Sequence, residues 1–399
     1  MQLGIDRLLS DPALRADLRG RRVAVLGHPA SVTSGLAHSL DALSALPDVQ
    51  LTAAFGPQHG MRGDVQDNMI ETPDEHDPRL GVPVFSLYGD VRRPTDAMLD
   101  TFDVLLVDLQ DVGTRIYTFL TTLLYVLEAG ASHGKSIWIL DRPNPAGRPI
   151  EGSLLLPGHE SFVGAGPLPM RHGLTLGEAA RWFVHRFGLK VDYRVVPMTG
   201  YDPTRGPGFG WPELAWVNPS PNAASLNMAR CFPGTVVLEG TTLSEGRGTT
   251  RPLEVMGAPD IDRDAVRAHM AALAPGWLAG CDIRSCAFIP TFHKHVRTIC
   301  AGVQLHTDGP GYDHRAFRPY RLVQLFLRAV REVHPEYVIW RRHPYEYTGS
   351  RLPVDVIDGG PGLREWVDGS GAVAEREAAL SADEAAWRVE RAPFLLYPA

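Results

Sequence analysis

Asp103-Val104-Leu105-Leu106-Val107-Asp108-Leu109 is an apolar run that ends on the polar pair Gln110-Asp111. Ser136-Ile137-Trp138-Ile139-Leu140 is a second run and ends on Asp141-Arg142. Between them, Thr114 to His133 carries apolar residues at 116, 119, 120, 123, 124 and 127, the spacing of one helix face. Strand, helix, strand is the βαβ unit, in which the strands run parallel and the crossover helix covers one face of the sheet. The same pattern continues on both sides of this unit. Arg22–Gly27, Val49–Phe55, Val82–Tyr88 and Val191–Pro197 predict four more strands, and Gly173–Phe187 a further helix opened by Thr175 and Glu178 in a T-x-x-E capping pattern. The fold class expected is α/β: a Rossmann-like, mostly parallel sheet with helices on both faces.

Pro- and Gly-rich stretches at 142–173 and 200–234 follow, including the rigid turn Asn218-Pro219-Ser220-Pro221-Asn222. Beyond them the pattern predicts a helix over Asp260–Leu273 capped by Asp260, strands at Arg284–Pro290 and Ile299–His306, a long helix over Arg315–Val333 and a short one over Ser381–Val389. The expected division is a Rossmann-like catalytic domain at 1–226 and a smaller α+β domain at 227–399 that completes a cleft.

The 399 residues are 44% hydrophobic and 21% charged, enough to bury a full core without staples. A net charge of −7 gives no general attraction to nucleic acid or an anionic membrane, and no apolar run reaches the ~18 residues of a membrane span. Nothing in the pattern sets an oligomeric state. Met1 to Arg7 lacks the basic-then-apolar layout of a signal peptide, so the chain as it stands is expected in the cytoplasm, with export following if it has been trimmed. Cys231, Cys281, Cys286 and Cys300 are too few for a disulfide framework. Cys281 and Cys286, even with His293 and His295 nearby, do not complete a zinc pattern, so no metal is expected.

Polar residues cluster just after the predicted strands: His28, Gln58-His59-Gly60, Gly89-Asp90, Gln110-Asp111 and Asp141-Arg142. In open α/β sheets ligands bind beyond the carboxyl ends of the strands, so these groups are expected to converge on one crevice. Pro57 to Arg79 reads as a long active-site loop carrying His59, Arg62, Asp64, Asp67, Asn68 and Glu71. Gly27-His28-Pro29-Ala30-Ser31 is not G-x-G-x-x-G, there is no P-loop, and no G-x-S-x-G elbow occurs, which speaks against a nucleotide-dependent enzyme or an α/β-hydrolase. Carboxylates are the better candidates: Glu71, Asp108, Asp111, Asp141, Glu151, Glu160, Glu239 and Glu245 fall in loops or at strand ends. Each has an alternative reading as a helix cap or an Arg partner. Gln110, Arg115 and Tyr117 either line the crevice or belong to a helix start. The Gly- and Thr-rich stretch Leu238 to Arg251 offers Arg247 and Arg251 as an anion site, against a solvated loop of Glu–Arg pairs.

Taken together these motifs resemble a known family. Phe55-Gly56-Pro57-Gln58-His59-Gly60-Met61-Arg62-Gly63 is similar to its S-P-E-H-G-x-R-G stretch. Pro83–Gly89, Asp108–Thr118, Leu140–Pro145, Glu160–Gly164, Arg171-His172-Gly173, Trp216–Asn222 and Glu239–Thr249 follow in the family's order. The family is the NamZ-like exo-β-N-acetylmuramidases, also known as the DUF1343 domain, and the likeness covers nearly the whole chain. It implies hydrolysis of terminal, non-reducing β-1,4-linked N-acetylmuramic acid from peptidoglycan fragments, in a cleft between two domains, with no metal or organic cofactor. It also implies that Arg247 and Arg251 meet the lactyl carboxylate of that sugar.

One departure stands out. The family's E-H-G glutamate is Gln58 here, and an amide cannot do the proton transfers of a carboxyl. Either another acid replaces it, with Glu71 the first choice and Asp64 and Asp67 behind it, or the protein binds an amino sugar without cleaving it or cleaves a different glycoside. The catalytic candidates are therefore Glu71, Gln58, His59 and Asp111. Those for binding substrate are Arg62, Gln110, Arg115, Tyr117, Asp141, Arg142, His172, Asn218, Glu239, Arg247 and Arg251.

Overall fold

The computed structural model describes residues 1–61, 63, 70–206, 208–346 and 348–399. Seven strands form the main sheet: β1 (Arg22–Leu26), β2 (Gln50–Gly56), β3 (Glu75–Asp77), β4 (Val82–Ser86), β5 (Val104–Val107), β6 (Ser136–Leu140) and β7 (Asp192–Val196). Their order is β3-β4-β2-β1-β5-β6-β7. Every pairing is parallel except the edge pair β3–β4. The chain builds outward from β1 in one direction and then from β5 in the other, so the topological switch lies between those two strands.

Strict alternation along the strands explains why both faces are covered. Ala24, Leu26, Leu105, Val107, Ile137 and Ile139 join an apolar cluster on one face with helix Phe119–His133 and helix Leu176–Arg186. Val23, Val25, Val104, Leu106, Trp138 and Leu140 join the other, with Ile5, Leu8, Leu40 and Leu43 from the N-terminal helices. The α/β fold class and the smaller second sheet are as expected. That sheet is antiparallel, in the order β8-β10-β9, with β8 at Val255–Ala258, β9 at Asp282–Phe288 and β10 at Cys300–His306. It packs with helices Leu226–Thr235 and Pro319–Val333 around a third apolar cluster.

Several elements differ from the sequence reading. The helix expected from Thr114 begins at Phe119. Thr114 instead forms a β-bridge with Arg171, and the Arg115 amide donates to the Met170 carbonyl. The polar segment 57–79 is not one continuous loop, because Glu75–Asp77 adds β3 to the sheet edge. Asp262, not Asp260, caps the helix Arg263–Leu273, accepting from the Asp264 and Ala265 amides at 3.1 and 3.0 Å. The last helix runs over Val373–Arg391, far longer than expected, and buries Trp387 against Trp182 with ring centroids 5.1 Å apart. Among the described residues no helix is long and apolar enough to cross a membrane.

Candidate active site

The switch point between β1 and β5 is filled by the protein's own groups. His28, just past β1, accepts at Nε2 from the Gln110 amide at 2.9 Å, which makes Nδ1 the donor to the Pro219 carbonyl at 3.2 Å. Burial first, then the nearby Arg142 and His38, push the His28 imidazole far below its usual pKa, in keeping with a neutral ring. Beneath it Arg142 grips Asp108 with two contacts of 2.6 and 2.8 Å and donates to the Val32 carbonyl.

The recess that collects functional side chains lies beside this plug, where the ends of β2 and β5 meet the second half of the chain. Gln58 and His59 line it from the turn after β2, and Tyr117 and Thr118 from the segment after β5. Ser220 and Asn222 come from the 218–222 turn. Glu239, Arg247, Tyr345 and Glu346 close it from the C-terminal half. A larger cavity of about 730 Å³, walled by Trp211, Arg230 and Tyr312, contains none of the candidates among the described residues. Size therefore does not pick the site; the convergence of carboxylates and motif residues does.

Thr118 Oγ1 donates to Gln58 Oε1 at 2.9 Å, which fixes the amide's orientation and leaves its NH₂ as a donor. His59 has φ +70° and Glu346 φ +44°. Left-handed backbone at non-glycine residues is strained, and such residues concentrate at functional sites. Gly60, at φ +72°, completes the tight Q-H-G turn.

Two carboxylates share the recess in different settings. Glu239 accepts from Arg247 Nη2 at 2.5 Å and from the Tyr345 hydroxyl at 2.7 Å. Glu346 accepts from the Tyr88 hydroxyl, which lies 3.2 and 3.1 Å from its two oxygens. Burial, joined by the negative charge of Glu239, pushes the Glu346 carboxyl up to about 7, against the opposing effects of Tyr88 and Arg92. Glu245 lies behind this pair. Burial favours its neutral form, but Lys294 at 2.7 Å, with His293 and Arg247 at 3.3 Å, holds it well below the usual carboxylate range.

The other sequence candidates fall elsewhere. Glu71 pairs with Arg92 at 3.1 Å, has a half-exposed side chain and does not line the recess. Arg62, Asp64, Asp67 and Asn68 lie outside the described residues. Asp111 accepts from the Gly113 amide at 2.6 Å and stands 3.6 Å from His172 Nε2, while His172 Nδ1 accepts from the Leu174 amide. Gln110 ties its amide to the Asp111 and Pro143 carbonyls, each at 2.8 Å, and with Arg142 borders a separate small hollow. Arg115 is buried with four backbone carbonyls: Ser153, Leu168, Ile357 and Asp358. Asp141 is likewise buried, receiving Thr175 Oγ1, the Gly177 amide and the Tyr397 hydroxyl at 2.6–2.8 Å; burial raises its carboxyl to about 6. Asn218 is exposed outside the recess.

Arg247 already faces Glu239 and Glu245, and Arg251 sits half-exposed on Glu254 at 3.2 Å, away from the recess. Glu239, Glu245 and Arg247 form their pairs in buried positions rather than on a solvated loop. Sequence reasoning missed Tyr345 and Glu346 because His343-Pro344-Tyr345-Glu346 has neither helix nor strand period. The available signal was an acid next to an aromatic residue in a Pro-containing loop.

Two carboxylates with opposite surroundings, set in a largely buried recess beside aromatic and amide groups, suit acid–base chemistry at a glycosidic bond. The comparisons agree with that class. Residues 23–227 match the family model "Exo-beta-N-acetylmuramidase NamZ, N-terminal", and residues 230–397 its C-terminal counterpart. The chain belongs to the NamZ exo-β-N-acetylmuramidase family. It is 41% identical over 337 residues, 84% of this chain and 78% of the relative, to the peptidoglycan β-N-acetylmuramidase NamZ of Bacillus subtilis. Two crystal structures of DUF1343 family proteins from Bacteroides fragilis share the fold. One has a TM-score of 0.85 at 27% identity, covering 100% of this chain and 99% of the other. The second has a TM-score of 0.72 at 26% identity, covering 99% and 98%.

Proposed function

We propose that this chain is an exo-acting glycoside hydrolase that releases terminal, non-reducing β-1,4-linked N-acetylmuramic acid from peptidoglycan fragments, and that the sugar occupies the recess between Gln58 and Glu346. The observation that carries the reading is the meeting, in one recess, of the Gln58-His59-Gly60 turn from one half of the chain with Glu239 and Arg247 from the other. In this reading the Gln58 amide donates to a sugar hydroxyl or acetamido oxygen, and Tyr117, packed edge-on against Phe119 at 4.7 Å, gives the ring an aromatic wall. Arg142, Asp141, Asp111, His172 and Arg115 act indirectly, by holding the strand-end loops. The reading calls on no cofactor. A cytoplasmic enzyme of this kind would act on imported or recycled fragments.

Gln58 favours a second reading, in which the recess binds the amino sugar without cleaving it. Incubation with an N-acetylmuramic-acid-capped disaccharide separates the two. Release of free N-acetylmuramic acid supports the hydrolase, whereas calorimetric binding with no release at high protein concentration supports the binding protein.

A further inference from the structure

We propose that Glu346, supplied by the C-terminal half of the chain, is the proton donor of this site and does the work that a carboxyl at position 58 would otherwise do. The inference rests on the hydrolase reading above. Its geometric basis is threefold. Glu346 lines the same recess as Gln58 and His59. It holds a strained left-handed backbone at φ +44°, as His59 does at φ +70°. Its carboxyl is buried and receives the Tyr88 hydroxyl, while its neighbour Glu239 is occupied by Arg247 and Tyr345.

A donor must carry its proton at the working pH, and the surroundings of Glu346 provide for that. Among the described residues, the charged and titratable groups that bear on it include Tyr88 and Arg92 from the segment after β4, Glu239 with Arg247 and Tyr345 behind it, and His59 in the same recess. Burial and Glu239 favour the neutral acid over Tyr88 and Arg92. In the reaction the Glu346 carboxyl gives its proton to the glycosidic oxygen as the bond from that oxygen to the anomeric carbon breaks, the bonding pair leaving on oxygen. Water forms the new bond to the anomeric carbon, and the proton that water loses restores the carboxyl, directly or through solvent. Glu239, held between Arg247 and Tyr345, is left to face the positive charge that develops on the sugar.

The test compares wild type with Glu346→Gln on two substrates: the disaccharide, and an aryl N-acetylmuramide whose phenol is acidic enough to leave without protonation. The expected result is a loss of roughly 10²–10⁴-fold in kcat on the disaccharide. The loss on the aryl glycoside should be far smaller, and the alkaline limb of the pH–rate profile should vanish. Equal losses on both substrates with the limb intact would show a structural role and overturn the proposal, as would full activity on the disaccharide. Tyr88→Phe is a milder check, because it keeps the ring and removes one donor that stabilises the ionised form. The alkaline limb should move to higher pH, and an unmoved or lowered limb counts against Glu346. A loss confined to Glu71→Gln would transfer the role to that residue. Wild type inert on both substrates would remove the hydrolase reading and this proposal together, whereas an active wild type with an active Glu346→Gln removes the proposal alone.

Discussion

Gln58 is held by the Thr118 hydroxyl at its Oε1, a contact that a carboxylate oxygen can accept equally well. Gln58→Glu should therefore fold, and its added negative charge should raise the Glu346 carboxyl further. The expected outcome is an alkaline limb moved to higher pH in the pH dependence of kcat/KM. The carboxyl of Glu346 also ties stability to pH. Its folded value of about 7 lies above the ordinary glutamate value of 4.5. Between those values the native state binds more proton than the unfolded chain, so this contribution to stability shrinks as pH rises and is gone above about 7. Glu346→Gln lacks that dependence, and urea midpoints should show the substitution relatively more favourable at about pH 8 than at about pH 5. Gln58 and His59 were legible in the sequence because they follow an apolar run and precede glycine. Glu346 was not, because it lies nearly 300 residues away in a segment without period, and only the fold brings it to the same recess.

The strands were the most legible elements, since runs such as Val104–Val107 and Ser136–Leu140 are buried on both faces and bounded by polar ends. Helix starts were less so. The apolar spacing from Ile116 continues the face of Phe119–His133, but the backbone at 114–118 is drawn into a bridge with Arg171 and the guanidinium of Arg115 is aimed at carbonyls. Arg115 donates to Ser153 and Leu168 on one side and to Ile357 and Asp358 on the other, joining loops of the sheet to the end of the Pro353–Asp358 helix. Arg115→Met should leave those carbonyls short of donors and cost about 3 kcal/mol or more in chemical denaturation. The cap of helix Arg263–Leu273 offers a local check. Asp262→Ala should cost about 1 kcal/mol, and Asp260→Ala a few tenths at most, by the same denaturation measurement.

For the molecule as a whole, the Pro- and Gly-rich connector led to an expected change of character near residue 226, and the family models match residues 23–227 and 230–397. The path of the last helix was not legible, because its amphipathic pattern does not say which apolar surface it covers. Val373–Arg391 returns to the first half: Trp387 is fully buried in the cluster of Trp182 and Phe183, and its Nε1 donates to the His172 carbonyl at 2.9 Å. Trp387→Ala should cost about 3–5 kcal/mol, read as a lowered urea midpoint. The helix thus ties together the two halves that form the recess, and the His172 loop that rests on it carries Arg171, a partner of Thr114 in the segment leading to Tyr117. The net charge of −7 keeps the recess from attracting an anionic sugar by the field of the whole molecule, so recognition falls to the groups lining it. The proposed hydrolase activity is tested most directly by one measurement: chromatography of the products formed by the wild-type chain from a disaccharide of N-acetylmuramic acid β-1,4-linked to N-acetylglucosamine. It predicts release of the two sugars in equal amounts, and an unchanged disaccharide at high enzyme concentration across about pH 5 to 8 would contradict it.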